Sequence, residues 1–232
     1  MQLYRHDTKF FEELNIINAY WAGFLAADGN IYRNIKRNGC RLSCTIKDHE
    51  HLVKFKDAIK ATNPIKTYNK RINDQSYSYY HLNIDSAKSL CIDLTRNFNI
   101  SERKSLILEP PSLNNVELIR AFIRGYFDGD GSIYRTKNAG FQISFVGTEA
   151  IIQWILDQFK LYITSEITGC IDKVKSITRL RFTGQKLPST IMQWLYDKSY
   201  DSTRLNRKYS RFLEYSSMAD LCRYKQLYTT EE

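Results

Sequence analysis

The sequence lacks what several large functional classes require. No apolar run approaches the roughly 18 residues that a membrane-spanning helix needs. The opening, MQLYRHDTKFF, has no secretory-leader pattern. These absences predict a soluble protein that works inside a cell or an organelle. The five cysteines (Cys40, Cys44, Cys91, Cys170, Cys222) show no CxxC spacing, and their number is odd. Cys40 and Cys44 have no His or Cys partners at zinc-finger distances, and His49 and His51 form an isolated His-x-His. The expectation is free thiols in a reducing compartment.

What is present describes an ordinary folded chain with an unusual charge. At 232 residues it is long enough for one large domain or two small ones, each with its own core. Its 43% hydrophobic and 25% charged content is that of a globular protein. The net charge of +9 points to a polyanionic partner, and sixteen tyrosines leave rings to spare for surface contacts.

Two stretches echo each other. WAGFLAADGNIYR begins at Trp21 and IRGYFDGDGSIYR at Ile123; they share a glycine (Gly23, Gly125), a final Asp-Gly and a following Ile-Tyr-Arg. Glycine inside a helix costs roughly 1 kcal/mol against alanine, so both glycines call for a reason. Close approach of two helix backbones at a small-residue face supplies one. Packed so, the helices would bring Asp28 and Asp130 together at their C-termini, with Gly29 and Gly131 as left-handed caps. Carboxylates are electrostatically unfavourable there, because the helix dipole is negative at that end. A rule broken twice at equivalent places marks a site, with divalent cations as the relief. Calcium-loop chemistry is excluded, since Ile133 stands where that loop needs glycine and Ala139 where it needs its closing carboxylate.

These residues resemble the paired signature motifs of the LAGLIDADG homing endonucleases, in the single-chain form. The resemblance implies an α+β fold of two pseudo-symmetric αββαββα units whose motif helices pack at a central pseudo-dyad. Each unit then carries a curved antiparallel sheet, and the two sheets form a saddle for duplex DNA. It implies that Asp28 and Asp130, the last acids of the motifs, bind Mg²⁺ or Mn²⁺, with Ca²⁺ bound without turnover. The neighbouring Ala27 and Gly129 join them in the metal set. The first motif departs at Ala26, where the second has Asp128; that position is not the metal ligand.

The rest of the chain reads the same way twice. A helical segment from Phe10 to Ala27 leads into a strand from Asn30. Leu42, Cys44 and Ile46 alternate with Arg41, Ser43, Thr45 and Lys47, and further strands follow at Ile65–Lys70 and Tyr77–Ile84. Residues 1–98 form the first unit and 99–115, with Pro110-Pro111, the linker. Residues 116–232 form the second unit with a helical tail. The outward strand faces are polar, basic and aromatic: Arg41, Ser43, Thr45 and Lys47 beside Tyr77, Tyr79, His81 and Asn83, matched by Gln142, Ser144, Arg179 and Arg181. Side chains of this kind read base edges in a major groove. Tyr32, Arg33, Lys66, Tyr68 and Lys70 extend the DNA-binding set in the first unit, and Tyr134, Arg135, Lys173 and Lys175 in the second.

A basic step recurs as well. Lys104 follows Asp28 by 76 positions and Lys208 follows Asp130 by 78. The resemblance places a lysine near the active site, so Lys104 and Lys208 are assigned to phosphate charge or the attacking water, with Lys47 as a one-sided third candidate. The function expected is a monomeric, site-specific endonuclease that makes double-strand breaks in a long asymmetric DNA target, as in intron mobility. The alternatives are a maturase binding intron RNA and an inactive DNA-binding regulator.

Overall fold

A computed structural model describes residues 4–34, 39–137, 140–174 and 177–216. Helix α1 (Ile16–Asp28) runs into β1 (Gly29–Asn34), followed by β2 (Gly39–Ile46), α2 (His49–Ala58), β3 (Ile65–Ile72), β4 (Gln75–Ile84) and α3 (Lys88–Phe98). A short turn of helix, α4 (Lys104–Ile107), interrupts the connection to α5 (Val116–Asp130). The pattern then repeats as β5 (Ser132–Arg135), β6 (Phe141–Gly147), α6 (Glu149–Tyr162), β7 (Cys170–Val174), β8 (Ile177–Gly184) and α7 (Lys186–Tyr196). A further helix, α8, spans 206–216 and is the last among the described residues. Both sheets are four-stranded and antiparallel, in the orders β1-β2-β4-β3 and β5-β6-β8-β7. This is the αββαββα unit expected, present twice.

The first motif helix starts later than the apolar pattern suggests. Asn15 accepts from the backbone N–H groups of Ile17 and Asn18, while the Asn18 side chain accepts from Asn15 N–H. This reciprocal cap sets the first turn, so residues from Phe10 to Asn15 lie outside the helix. Helix α1 is apolar almost all round, with Ala19 through Ala26 buried. A helix of that kind must be covered on every side.

Helix α5 supplies part of the cover. A Cβ at Gly23 would stand 2.0 Å from the Phe122 carbonyl oxygen, and one at Gly125 would stand 1.9 Å from that of Tyr20. The two backbones therefore touch, and hydrogen is the one substituent that fits. By internal contacts the chain divides into two compact units, residues 1–129 and 130–232. Helix α5 packs with the first unit although the repeat opens the second with it, because it is bound to α1 backbone to backbone.

Two expectations are corrected here. Gly29 does not cap α1 in the left-handed region; it is extended, at φ −76° and ψ 158°, and begins β1. Glycine is needed there because a Cβ would meet the Leu25 carbonyl oxygen at 2.6 Å. Gly131 has no positive φ either. The cysteines also depart from five free thiols. The inward face of β2 packs on α3, and Cys40 and Cys91, 51 positions apart, form a disulfide between those elements. Cys44 and Cys170 remain thiols among the described residues.

The core of each unit lies between the sheet and its helices. Leu42, Cys44, Ile46, Leu82 and Ile84 meet Leu52, Phe55, Leu90 and Leu94 in the first; Ile143, Phe145, Leu180 and Phe182 meet Ile152, Ile155, Phe159 and Ile191 in the second. Helix α8 closes the second unit through Phe212 on Tyr196 and Tyr215 on Phe141. No helix among the described residues is long and apolar enough to cross a membrane.

Candidate functional site

Each unit carries one motif acid. Asp28 is the last residue of α1 and half-buried; Asp130 is the last of α5 and exposed. Each motif end is met by a buried lysine. Lys104, on α4, donates through Nζ to the carbonyls of Ala26 at 2.7 Å and Ala27 at 2.5 Å. Lys208, on α8, donates through Nζ to the carbonyl of Gly131 at 2.6 Å. They are 7% and 4% exposed, a burial that an ammonium tolerates only when bonded. At α1 the partners are C-terminal carbonyls left open by the helix, at the negative end of its dipole. The linker helix and the tail thus each return a fixed cation to a motif end.

The carbonyl of Ala27, a residue expected in the metal set, accepts the Lys104 ammonium. At Gly129 a Cβ would stand 2.3 Å from Cβ of Ala27, so this position too is one of close backbone approach. The donors at the end of α1 are all oxygen, the set that a hard divalent cation takes. Cys44, the register partner of Gly29, does not join them. Burial pushes its thiol far up, the negative charge of Asp28 pushes it further, and Lys104 opposes both. Cys44 therefore stays a protonated thiol. Among the described residues no three His, Cys, Asp or Glu side chains gather as a metal cluster. A cation held here would have to take its remaining ligands from water or from a bound anion.

Asp128 is placed differently from the exposed Asp130. It is 2% exposed and accepts from the Tyr20 hydroxyl at 2.8 Å, while that oxygen lies 3.0 Å from His51 Nε2. The single hydroxyl proton goes to the carboxylate, so Nε2 carries the hydrogen it donates to Tyr20. This chain joins α5, α1 and α2. The sequence offered no signal for His51 beyond its position on an amphipathic helix.

Strand register sorts the outward faces. In the first sheet Asn30, Ser43 and Asn83 form one row, with Tyr32 and Arg41 on one side of it and Thr45, His81 and Lys66 on the other. Tyr79 pairs with Tyr68 and Tyr77 with Lys70. Thr45 Oγ1 lies 2.6 Å from His81 Nδ1, and Arg41 Nε donates to Asp85 at 2.7 Å. Lys47 belongs to this face, with Nζ 4.7 Å from the ring centre of Tyr77 and 5.4 Å from that of Tyr79. Asn30 was missed, although counting back two from Tyr32 finds it.

Three expected residues fall on the other face. Arg33 pairs with buried Cys40, and Arg135 with buried Phe141, so each has the parity of the core and opposes its neighbour Tyr32 or Tyr134. Lys173 pairs with Thr178 and bridges Glu149 of α6 at 2.9 Å. Lys175 lies outside the described residues. In the second sheet Gln142 and Ser144 are buried, Gln142 between Tyr134 and Thr183, and Ser144 2.7 Å from Ser132 Oγ. The outward face of β7 carries Asp172, opposite Arg179, and Cys170, opposite Arg181. Arg179 donates to Asp172 at 2.7 Å and Arg181 at 3.0 Å. The Arg179 hydrogen bond, chiefly, holds the Asp172 carboxyl below its ordinary range, with Arg181 adding to the effect. The contacts therefore persist below the ordinary carboxylate range and open as pH falls through the lowered value.

Comparison with known proteins agrees with this architecture. Residues 117–181 match the family model of a LAGLIDADG-like domain. No curated protein matches the chain by sequence. Among solved structures, a double mutant of I-SmaMI superposes with a TM-score of 0.57 at 14% identity, covering 94% of this chain and 95% of that one. The LAGLIDADG homing endonuclease I-GzeII in complex with its DNA target gives 0.57 at 12% identity over 92% of each chain. The LAGLIDADG meganuclease I-AabMI bound to uncleaved DNA gives 0.55 at 14% identity over 91% of this chain and 93% of that one. The chain thus carries a LAGLIDADG-like domain in its second half, within the two-motif fold of the LAGLIDADG homing endonucleases.

Proposed function

We propose that this protein is a divalent-metal-dependent, site-specific DNA endonuclease that acts as a monomer and makes double-strand breaks. The observation that carries the reading is the repeated motif end: a C-terminal acid with a buried lysine on carbonyls at the same end. Polar strand faces follow directly in the chain. I-GzeII and I-AabMI were solved with DNA, and I-SmaMI with an uncleaved DNA target in the presence of calcium ions. Those complexes support duplex DNA as the partner here.

Asp28 and Asp130 would hold Mg²⁺ or Mn²⁺, with the carbonyls of Ala27 and Gly129 beside them. When bound, such an ion lowers the pKa of a water nucleophile and offsets charge on the leaving oxygen. The chain's own contribution is fixed charge. Lys104 and Lys208 are locked in place before substrate arrives, so they meet a scissile phosphate without reorganising. No Ser, Cys or His is needed as a nucleophile, and the one buried thiol nearby is held protonated. Lys47 belongs with the DNA-contacting rows.

The test is cleavage of a randomised duplex library with Mg²⁺, beside EDTA and the Asp28→Asn and Asp130→Asn variants. Cuts at one sequence that need metal and vanish in both variants are expected, with DNA binding retained. Wild-type cleavage rates in either variant would overturn the assignment of the acids. Selective binding with no cut by the wild type would make the protein a DNA-binding regulator, and binding to structured RNA alone a maturase.

A further inference from the structure

The outward row of the second sheet contains a carboxylate where a DNA-facing surface is expected to be basic. Asp172 lies between two arginines two residues apart on β8. Arg179 grips it with Nη2 at 2.7 Å and Nε at 3.4 Å; Arg181 grips it with Nε at 3.0 Å and turns Nη2 toward Cys170 Sγ at 3.3 Å. Each arginine thus engages its side edge, Nε with Nη2. A guanidinium has five N–H groups, so each keeps three, including those of the Nη1–Nη2 fork at its tip. That fork matches the paired O6 and N7 acceptors of guanine in the major groove.

Spacing makes the arrangement more specific. Alternate residues on a strand lie roughly 6.6 Å apart, and two base-pair steps span roughly 6.8 Å. The three side chains are 30% to 37% exposed, so they are reachable yet held on one side by the sheet. An arginine without a carboxylate partner is free to swing to a phosphate as well as to a base, and a phosphate contact reads no sequence. Asp172 works against that in two ways: it occupies the side edge and repels phosphate.

We propose that Asp172 is a positioning residue for base readout, clamping Arg179 and Arg181 so that their forks address two guanines two base-pair steps apart. This rests on the reading of the chain as a DNA-binding protein. The clamp sets specificity more than affinity. Asp172 makes no base contact of its own.

The experiment is a binding selection from randomised duplexes in EDTA, so that cleavage plays no part, with wild type, Asp172→Asn and Asp172→Glu. Binding to the selected and to an unrelated duplex is then measured across salt concentration. The wild type is expected to select guanine at two positions separated by one. Asp172→Asn should lose about tenfold of the preference at each. It should hold or gain affinity for the unrelated duplex, with a salt dependence steeper by about one unit per new phosphate contact. Asp172→Glu should restore part of the preference. A uniform loss of affinity with base preference intact would show a merely structural pair and overturn the proposal. So would wild-type selection without those guanines, or no selective DNA binding. Guanine selection without cleavage in Mg²⁺ would leave the clamp standing and overturn the endonuclease alone.

Discussion

At Gly125 the space for a side chain is already filled by protein. A methyl group would stand 1.9 Å from the Tyr20 carbonyl oxygen and 2.8 Å from the Phe24 nitrogen, and backbone on a buried helix cannot rotate away. Gly125→Ala must therefore push α5 from α1, exposing gaps around Tyr20 and Phe122. The expected loss is about 3 kcal/mol, at the upper end of ordinary overpacking. Urea unfolding would read it as a lower midpoint at unchanged slope. An unchanged midpoint would mean that the helices do not approach as described. The lysines teach a related lesson. The spacing places Lys104 and Lys208 near the motif acids, and the structure adds what spacing does not carry: each is buried on carbonyls of a motif end.

At the scale of elements, the first motif helix depends on its cap. Asn15 and Asn18 satisfy three backbone N–H groups between them at the start of α1. Asn15→Ala should cost about 1 kcal/mol. Hydrogen exchange should localise that loss to the amides of the first turn, leaving the last turn before Asp28 protected. Equal loosening of both ends would point to a helix held by its cap rather than by packing. Strand parity explains which outward residues were legible. On β2, Leu42, Cys44 and Ile46 alternate with polar residues, so the apolar set reveals both faces. On β7, a short edge strand reading Cys170-Ile171-Asp172-Lys173-Val174, most side chains are exposed and no such alternation exists. The pattern therefore does not separate Lys173, which bridges Glu149, from Asp172, which faces Arg179.

Across the whole molecule, the Cys40–Cys91 bond ties β2 to α3 across 51 positions of chain. Closing a loop of that length removes enough freedom from the unfolded chain to stabilise the fold by about 4 kcal/mol in the chain-entropy view. For a protein of this size that corresponds to roughly 10 °C in midpoint. Comparing melting with and without dithiothreitol, beside Cys40→Ser, tests it. The reductant should lower the midpoint of the wild type and leave the variant unmoved. Equal melting of the wild type in both conditions would mean that the bond does not form in solution. The same scale decides how the chain divides. A repeat read along the sequence opens its second copy at residue 116, whereas packing assigns α5 to the first unit through Gly23 and Gly125.

The sequence by itself determined the duplicated αββαββα plan, the two motif helices with their acids, the recurring lysines, and the faces of the strands that alternate. These follow from local periodicity, which is written within a few residues and survives wherever the segment is placed. Tertiary structure alone decided that Gly29 is extended beneath the Leu25 carbonyl, that Cys40 meets Cys91, that Asp128 is locked to Tyr20, and that Asp172 holds two arginines. Each of these depends on a group distant in the chain or on a neighbouring strand's register. Backbone approach, disulfide closure and charge pairing act through distance in space, which local pattern does not encode.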